Sequence, residues 1–464
     1  LHLQGCFHRL RGAYCPIEKG GMCFGNRTQR TSNPPFSGEI QLSHSSARKP
    51  YRDPILPMPF PCAPCVHVVK LPGMKPSAFV AAVLLSFCVI AAEQNRNIIV
   101  RGSYSNSQLQ FEKNKTARVA FIGGSITQMN GYRPMVASWL TKRFPKTKFE
   151  IVNAGISSTC STTGAFRLKS EVLAKGRIDL FFIEFAVNDD QDAGHGTREC
   201  IRGMEGIIRQ ARTAQPNMDI VVTHFVNPGM LELLRAGKMP LPMAAHEKVL
   251  KAYNVSTIFL PREVADRIDA GKLTWKVFGG THPRPAGNAI AAGMIDQLLT
   301  AAWERPLGKK PKPHPVPKVV LDSGSYFNGH FLSPAKSAND AWAWHVPDWK
   351  KIPGGFRSNP FGGMKLLTAT QAGKESALKF KGRALGAYVL AGPDAGVVEV
   401  SIDDGQWKRV DLYHHYSRGL NYPRTVMFAA DLKAGEHTAK IRLSEKSNSK
   451  SKGTAARILQ FTVN

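Results

Sequence analysis

From Ala117 onward, short apolar runs alternate with stretches of helical composition, and this alternation restricts the fold more than any other feature of the 464-residue chain. Strands separated by helices pair in parallel through crossover connections. Arg118 to Ile122, Phe149 to Asn153, Asp179 to Val187, Asp219 to Phe225 and Ser256 to Leu260 read as strands. Tyr132 to Phe144, Thr163 to Lys175, Cys200 to Ala214, Ala244 to Tyr253 and Pro285 to Ala302 read as helices. The third strand contains Leu180-Phe181-Phe182-Ile183, the most apolar run, and is therefore expected at the sheet centre. The α/β domain is expected to span 93–304.

The pattern changes after a Pro- and Lys-rich stretch, 305–318, which has the composition of an extended linker. Beyond it, Ala384 to Leu390, Val397 to Ile402, Lys408 to Tyr413, Arg424 to Ala429 and Thr438 to Leu443 alternate apolar and polar residues. Asp404-Gly405 reads as a hairpin turn. Residues 319–464 are expected to form an all-β sandwich.

The N-terminal part has a different logic. Met74-Lys75-Pro76 begins a charged segment, and Ala78 to Ala92 is an apolar run that ends in small residues. Residues 74–92 read as a signal peptide, which predicts a secreted or periplasmic protein with no membrane span after its removal. Residues 1–73 show neither helical nor strand period and are expected to be a disordered leader or an over-extended gene start. Of the 8 cysteines, only Cys160 and Cys200 follow residue 92, either as a pair or as separate buried thiols. The formal charge is +28. Such a charge suits an anionic polysaccharide, whereas the motifs of nucleic-acid readers are absent, so no nucleic-acid partner is expected. No metal-binding spacing and no cofactor motif is visible.

Three polar positions directly follow predicted strands: Ser125, Gly155 and Asn188. In an open parallel sheet the ligand crevice lies beyond the carboxyl ends of the strands, so these residues are expected at one edge. Ser125, after Gly123-Gly124, can present its hydroxyl at the start of a helix. Gly155 can bring its N–H close to a bound oxygen, and Asn188 offers a neutral NH₂ donor suited to an oxyanion. His282, in Gly279-Gly280-Thr281-His282-Pro283, can take the proton that makes a serine nucleophilic. His224 and His195 are competing bases. Glu184, inside the central strand, needs a buried partner, for which an arginine is expected. Tyr413 to Arg418 forms an aromatic and basic cluster that can stack on sugar rings or form a surface loop.

These four blocks, in this order, resemble the SGNH hydrolase superfamily, the GDSL-type esterases. The resemblance covers about Ala117 to Trp303 and implies a flavodoxin-like three-layer domain. It implies Ser125 as nucleophile, His282 as base, and the Ser125 N–H, the Gly155 N–H and the Asn188 side chain as the oxyanion hole. It further implies a secreted esterase acting on O-acyl, above all O-acetyl, groups of a carbohydrate. Alternatives are a lipid ester substrate, or a non-catalytic carbohydrate-binding protein on a degenerate fold. The chain departs from the family in two places. Gly124 replaces the usual aspartate before the serine, and Gly279 and Gly280 stand where an aspartate normally orients the histidine. A backbone carbonyl, or Asp189, Asp190 or Asp192, is expected to take that role.

Overall fold

The computed structural model describes residues 95–304 and 307–464; the leader and the signal-like stretch lie outside the described residues. The first sheet contains β1 (Ile98–Ile99), β2 (Thr116–Gly123), β3 (Lys148–Gly155), β4 (Leu180–Glu184), β5 (Asp219–His224) and β6 (Ser256–Phe259), in the order β1-β6-β5-β4-β2-β3. All pairings are parallel except that of β1, a two-residue antiparallel edge on β6. Every residue of β4, β5 and β6 is buried, so each lacks the alternation of a one-faced strand. The strand order reverses at β2, whose neighbours are β3 and β4, which opens a crevice beyond their carboxyl ends.

Helices cover both faces of this sheet. They are α1 (Ser105–Leu109), α2 (Ser125–Gln128), α3 (Tyr132–Arg143), α4 (Ser161–Glu171), α5 (Thr197–Ala214), α6 (Pro228–Arg235), α7 (Leu241–Ala252), α8 (Leu260–Asp269), α9 (Trp275–Phe278) and α10 (Pro285–Trp303). Alternate residues of β2 fall in different cores. Val119 and Phe121 pack with α3 and α10, while Ala120 and Ile122 pack with α4 and α5.

Beyond residue 318 lie ten strands in two antiparallel sheets, from β7 (His330–Leu332) to β16 (Ala456–Val463). The strand β11 (Leu385–Ala391) shows how the sandwich is seated. Leu385, Ala387, Val389 and Ala391 face the sandwich core, while Tyr388 and Leu390 form a second cluster that also packs Ile156 of the first domain. Both faces of β11 are thus apolar, one for each partner. The strand β16 (Ala456–Val463) is also buried along nearly its whole length: Ala456, Ile458, Phe461 and Val463 face the sandwich core and Leu459 joins the second cluster, so its sequence lacks a regular alternation.

The proline-rich stretch is not a free tether. His314 Nε2 lies 2.6 Å from Asp219 Oδ1, Asn106 and Lys312 exchange hydrogen bonds of 2.8 Å, and Arg209 donates to the Pro317 carbonyl at 2.9 Å. Its described residues form no helix or strand. The docking was not legible in its composition.

Candidate active site

The strand β2 ends at Gly123, and Ser125 becomes the first residue of α2 two positions later. A first helical residue has no intrahelical partner for its N–H, so the Ser125 amide points out of the helix with its hydroxyl. The turn needs glycine for want of space. A Cβ on Gly123 would meet Thr127 Oγ1 at 2.2 Å, and one on Gly124 would meet Asn188 Oδ1 at 2.0 Å. The family aspartate has no room at position 124 while Asn188 lies against it.

His282 comes from the loop between α9 and α10. Its Nε2 lies 2.7 Å from Ser125 Oγ, although the two residues are 157 positions apart. The fold thus brings together the two groups that a serine hydrolase needs first. Gly279 has φ +108°, and a Cβ there would sit 2.2 Å from the Arg284 N atom. The loop path itself therefore excludes an acid at position 279. Asn288 fixes the loop from α10: its Nδ2 donates to the Pro283 carbonyl at 2.6 Å and to the Arg284 carbonyl at 3.1 Å. Its Oδ1 accepts the Tyr132 N–H at 2.8 Å, joining the histidine loop to the start of α3.

None of the three aspartates considered as orienters bonds the His282 ring among the described residues. Asp189 accepts from Ser161 N and Oγ at 2.7 Å each and lies 2.8 Å from His246 Nε2. Asp190 accepts from Asn227 at 2.7 Å, and Asp192 accepts from Asn188 Nδ2. The competing imidazoles are engaged elsewhere. His195 lies beside Asp189, and His224 is fully buried and stacked on His246 at 5.8 Å.

Asn188 opens a π-helical turn, Asn188–Asp192, after β4 ends at Glu184, so it sits four residues past the strand instead of at its tip. One hydrogen of its NH₂ goes to Asp192. A primary amide has a second. Gly155 ends β3, and its only N–H donates to Asn153 Oδ1 at 3.0 Å. A Cβ on Gly155 would lie 2.3 Å from Gln128 N, so glycine is required there for α2 to pack on β3.

Glu184 is fully buried under the serine turn and has no arginine partner among the described residues, which corrects the expectation of an ion pair. Its Oε2 accepts from Thr127 Oγ1 at 3.2 Å and from Gly124 N at 3.4 Å, and the Tyr132 hydroxyl lies 3.0 Å from Thr127 Oγ1. Burial pushes its carboxyl up to about 7. Arg167, also fully buried, clamps the ends of two strands by donating to the carbonyls of Gly123 at 2.9 Å and Ala154 at 2.5 Å. Neither role was visible in the sequence. An arginine in the middle of a polar helix looks like a surface residue.

The sandwich reaches the same edge. Arg357 donates to Ser158 Oγ at 3.0 Å and to the Ser157 carbonyl at 3.4 Å. Ser158 itself has φ +69°, a left-handed conformation uncommon for serine. A cavity of about 280 Å³ opens between the domains, lined by Ser158, Asp192, Tyr422 and Arg424 among others. Burial keeps the Asp192 carboxyl above its usual value, against the opposing effects of Asn188, Arg357 and His282. From the cluster Tyr413 to Arg418, His414 stacks on Tyr422 at 4.7 Å.

Residues 121–290 match the model of the GDSL-like Lipase/Acylhydrolase family. The structure is similar to that of a two-domain esterase (CEX) active on acetylated mannans, co-crystallized with mannopentaose: TM-score 0.61, 20% identity, 80% of this chain and 97% of that one. A second structure of that esterase gives TM-score 0.61 and 19% identity, over 79% and 97% of the two chains. An acetyl xylan esterase variant from Geobacillus stearothermophilus aligns over 40% of this chain and 96% of its own, with 16% identity and TM-score 0.33. No curated protein matches the chain in sequence. No helix among the described residues is long and apolar enough to cross a membrane. The chain carries an SGNH/GDSL-type esterase fold followed by an additional C-terminal β domain.

Proposed function

We propose that this protein is an exported serine esterase that removes O-acetyl groups from a carbohydrate, with Ser125 as nucleophile and His282 as base. The observation that carries the reading is the 2.7 Å contact between Ser125 Oγ and His282 Nε2 at the carboxyl edge of a parallel sheet. As Ser125 Oγ bonds to the acyl carbon, its proton passes to His282 Nε2 and the carbonyl oxygen takes up the negative charge. The Ser125 N–H and the second N–H of Asn188 receive that charge. Asp192 orients the amide by holding its first hydrogen. Gly155 joins them once its N–H leaves Asn153. The tetrahedral intermediate collapses, the sugar oxygen departs with the proton from His282, and a water deprotonated by His282 then releases acetate from Ser125.

The carbohydrate part of the reading rests on the shared two-domain layout with an esterase active on acetylated mannans, and on the aromatic and basic residues with which the sandwich borders the site. Export rests on the signal-like segment 74–92. The test is acetate release from acetylated mannan and acetylated xylan by the wild type and by Ser125→Ala. Release by the wild type that Ser125→Ala abolishes supports the reading. Equal release by both proteins, or none from any acetylated glycan, overturns it.

A further inference from the structure

A second group of reactive side chains lies one step further along the turns that carry Ser158 and Asn188. Cys160 precedes α4, Asp189 follows Asn188 in the π-helical turn, and His195 lies in the loop before α5. One donor atom from each falls within 4.8 Å of the others. None of the three takes part in the proposed hydrolysis.

Their geometry is that of a ligand set. His195 Nδ1 lies 3.4 Å from Asp189 Oδ1, and among the described residues this buried nitrogen has no partner that meets hydrogen-bond geometry. Two donors bound to one tetrahedral zinc at 2.0–2.2 Å are about 3.4 Å apart. The other ring nitrogen, Nε2, lies 3.5 Å from Thr162 Oγ1, which suits an imidazole that donates outward with one nitrogen and offers the other to a metal. Asp189 is supported in the same way. Its Oδ2 is held by Ser161 Oγ and His246 Nε2, while Oδ1 accepts the Ser161 N–H at 2.7 Å and, with its second lone pair, lies 3.4 Å from His195 Nδ1.

We propose that Cys160, Asp189 and His195 form a zinc site with one open coordination position facing the interdomain cavity. Thiolate, imidazole and carboxylate together favour zinc over the hard cations calcium and magnesium. The cysteine thiolate and the carboxylate neutralise the divalent charge, and binding releases the thiol proton of Cys160 to solvent. Cys160, Thr162 and His195 line the cavity of about 280 Å³, which gives the ion a route in and a fourth position for water. The ion links the turn after β3 to the turn after β4. It fixes Asn188 from its neighbour Asp189, and takes no part in the acyl transfer.

The experiment is metal analysis of the full chain after incubation with zinc and desalting, together with the absorption of the cobalt(II) form. One zinc per chain and a thiolate-to-cobalt charge-transfer band are expected in the wild type. Both are expected to be lost in Cys160→Ser and His195→Asn, with circular dichroism confirming that His195→Asn is folded. Cys200→Ser is expected to keep both. The proposal is overturned if the wild type retains no zinc, or if non-reducing mass spectrometry shows Cys160 joined to Cys200. It is equally overturned if Cys200→Ser loses the metal while Cys160→Ser keeps it, which would move the site to Asp189, Cys200 and His246. The esterase reading is tested separately, through Ser125.

Discussion

The side-chain amide of Asn288 donates to the carbonyl of Pro283 at 2.6 Å, and so fixes the residue next to the histidine that touches Ser125. In place of a carboxylate on the ring, this chain braces the loop that carries the ring. Asn288→Ala removes that brace. A misplaced base affects the chemical step more than binding, so kcat on p-nitrophenyl acetate is expected to fall on the order of 10–100-fold with KM nearly unchanged. The pH dependence of kcat should keep its shape; a changed shape would assign Asn288 a direct electrostatic role.

The two glycines before His282 should respond differently. Gly279→Ala places a Cβ 2.2 Å from Arg284 N at φ +108°, so activity should be lost with the loop geometry. Gly280 has φ +84°, and a Cβ there would meet nothing within 4 Å, so Gly280→Ala should cost only backbone strain, about 1–2 kcal/mol. Thermal unfolding and esterase rates of the two variants separate these outcomes.

Glu184 predicts a pH-dependent stability. Its folded value is raised to about 7 from 4.5 by burial, so the folded protein keeps a proton that the unfolded chain has lost between these values. The contribution of this group is therefore fully present below 4.5 and is lost as pH rises to about 7. The integrated loss is on the order of 3 kcal/mol. Glu184→Gln should flatten this part of the stability curve, as measured by urea unfolding across the window.

Arg167 is fully buried and ties the carbonyls of Gly123 and Ala154 to Glu171. Arg167→Ala takes a donor from each of two buried carbonyls, of which that of Gly123 keeps the Ile156 N–H, and leaves a cavity besides. A destabilisation of about 3–5 kcal/mol is expected, read from the denaturant midpoint.

Arg357 brings the sandwich to Ser157 and Ser158 at the rim of the site. Arg357→Ala should raise KM for an acetylated oligosaccharide several-fold and leave kcat on p-nitrophenyl acetate nearly unchanged. A loss confined to kcat on the small ester would instead place Arg357 in the acyl-transfer chemistry.

Much of this site could be read along the chain. The alternation of apolar runs set a parallel sheet, and the sheet set where Ser125 emerges, because strand ends are local properties of sequence; the π-helical turn that carries Asn188 four residues beyond β4 was not legible there. His282 was legible as a candidate base from its residue type and loop. Its contact with Ser125 across 157 positions could be decided only by the folded chain.

What the sequence determined by itself was the succession of the central strands and main helices of the α/β domain and the identity of the groups able to react, since both follow from periodicity and side-chain chemistry. What the tertiary structure decided was which buried polar groups answer one another. Arg167 turns inward to strand ends, Glu184 meets a threonine and not an arginine, and Cys160 from the turn after β3 converges with Asp189 and His195 from the connection after β4. These partners lie far apart in the chain, and burial leaves each polar group to find whatever donor or acceptor the packed neighbours present.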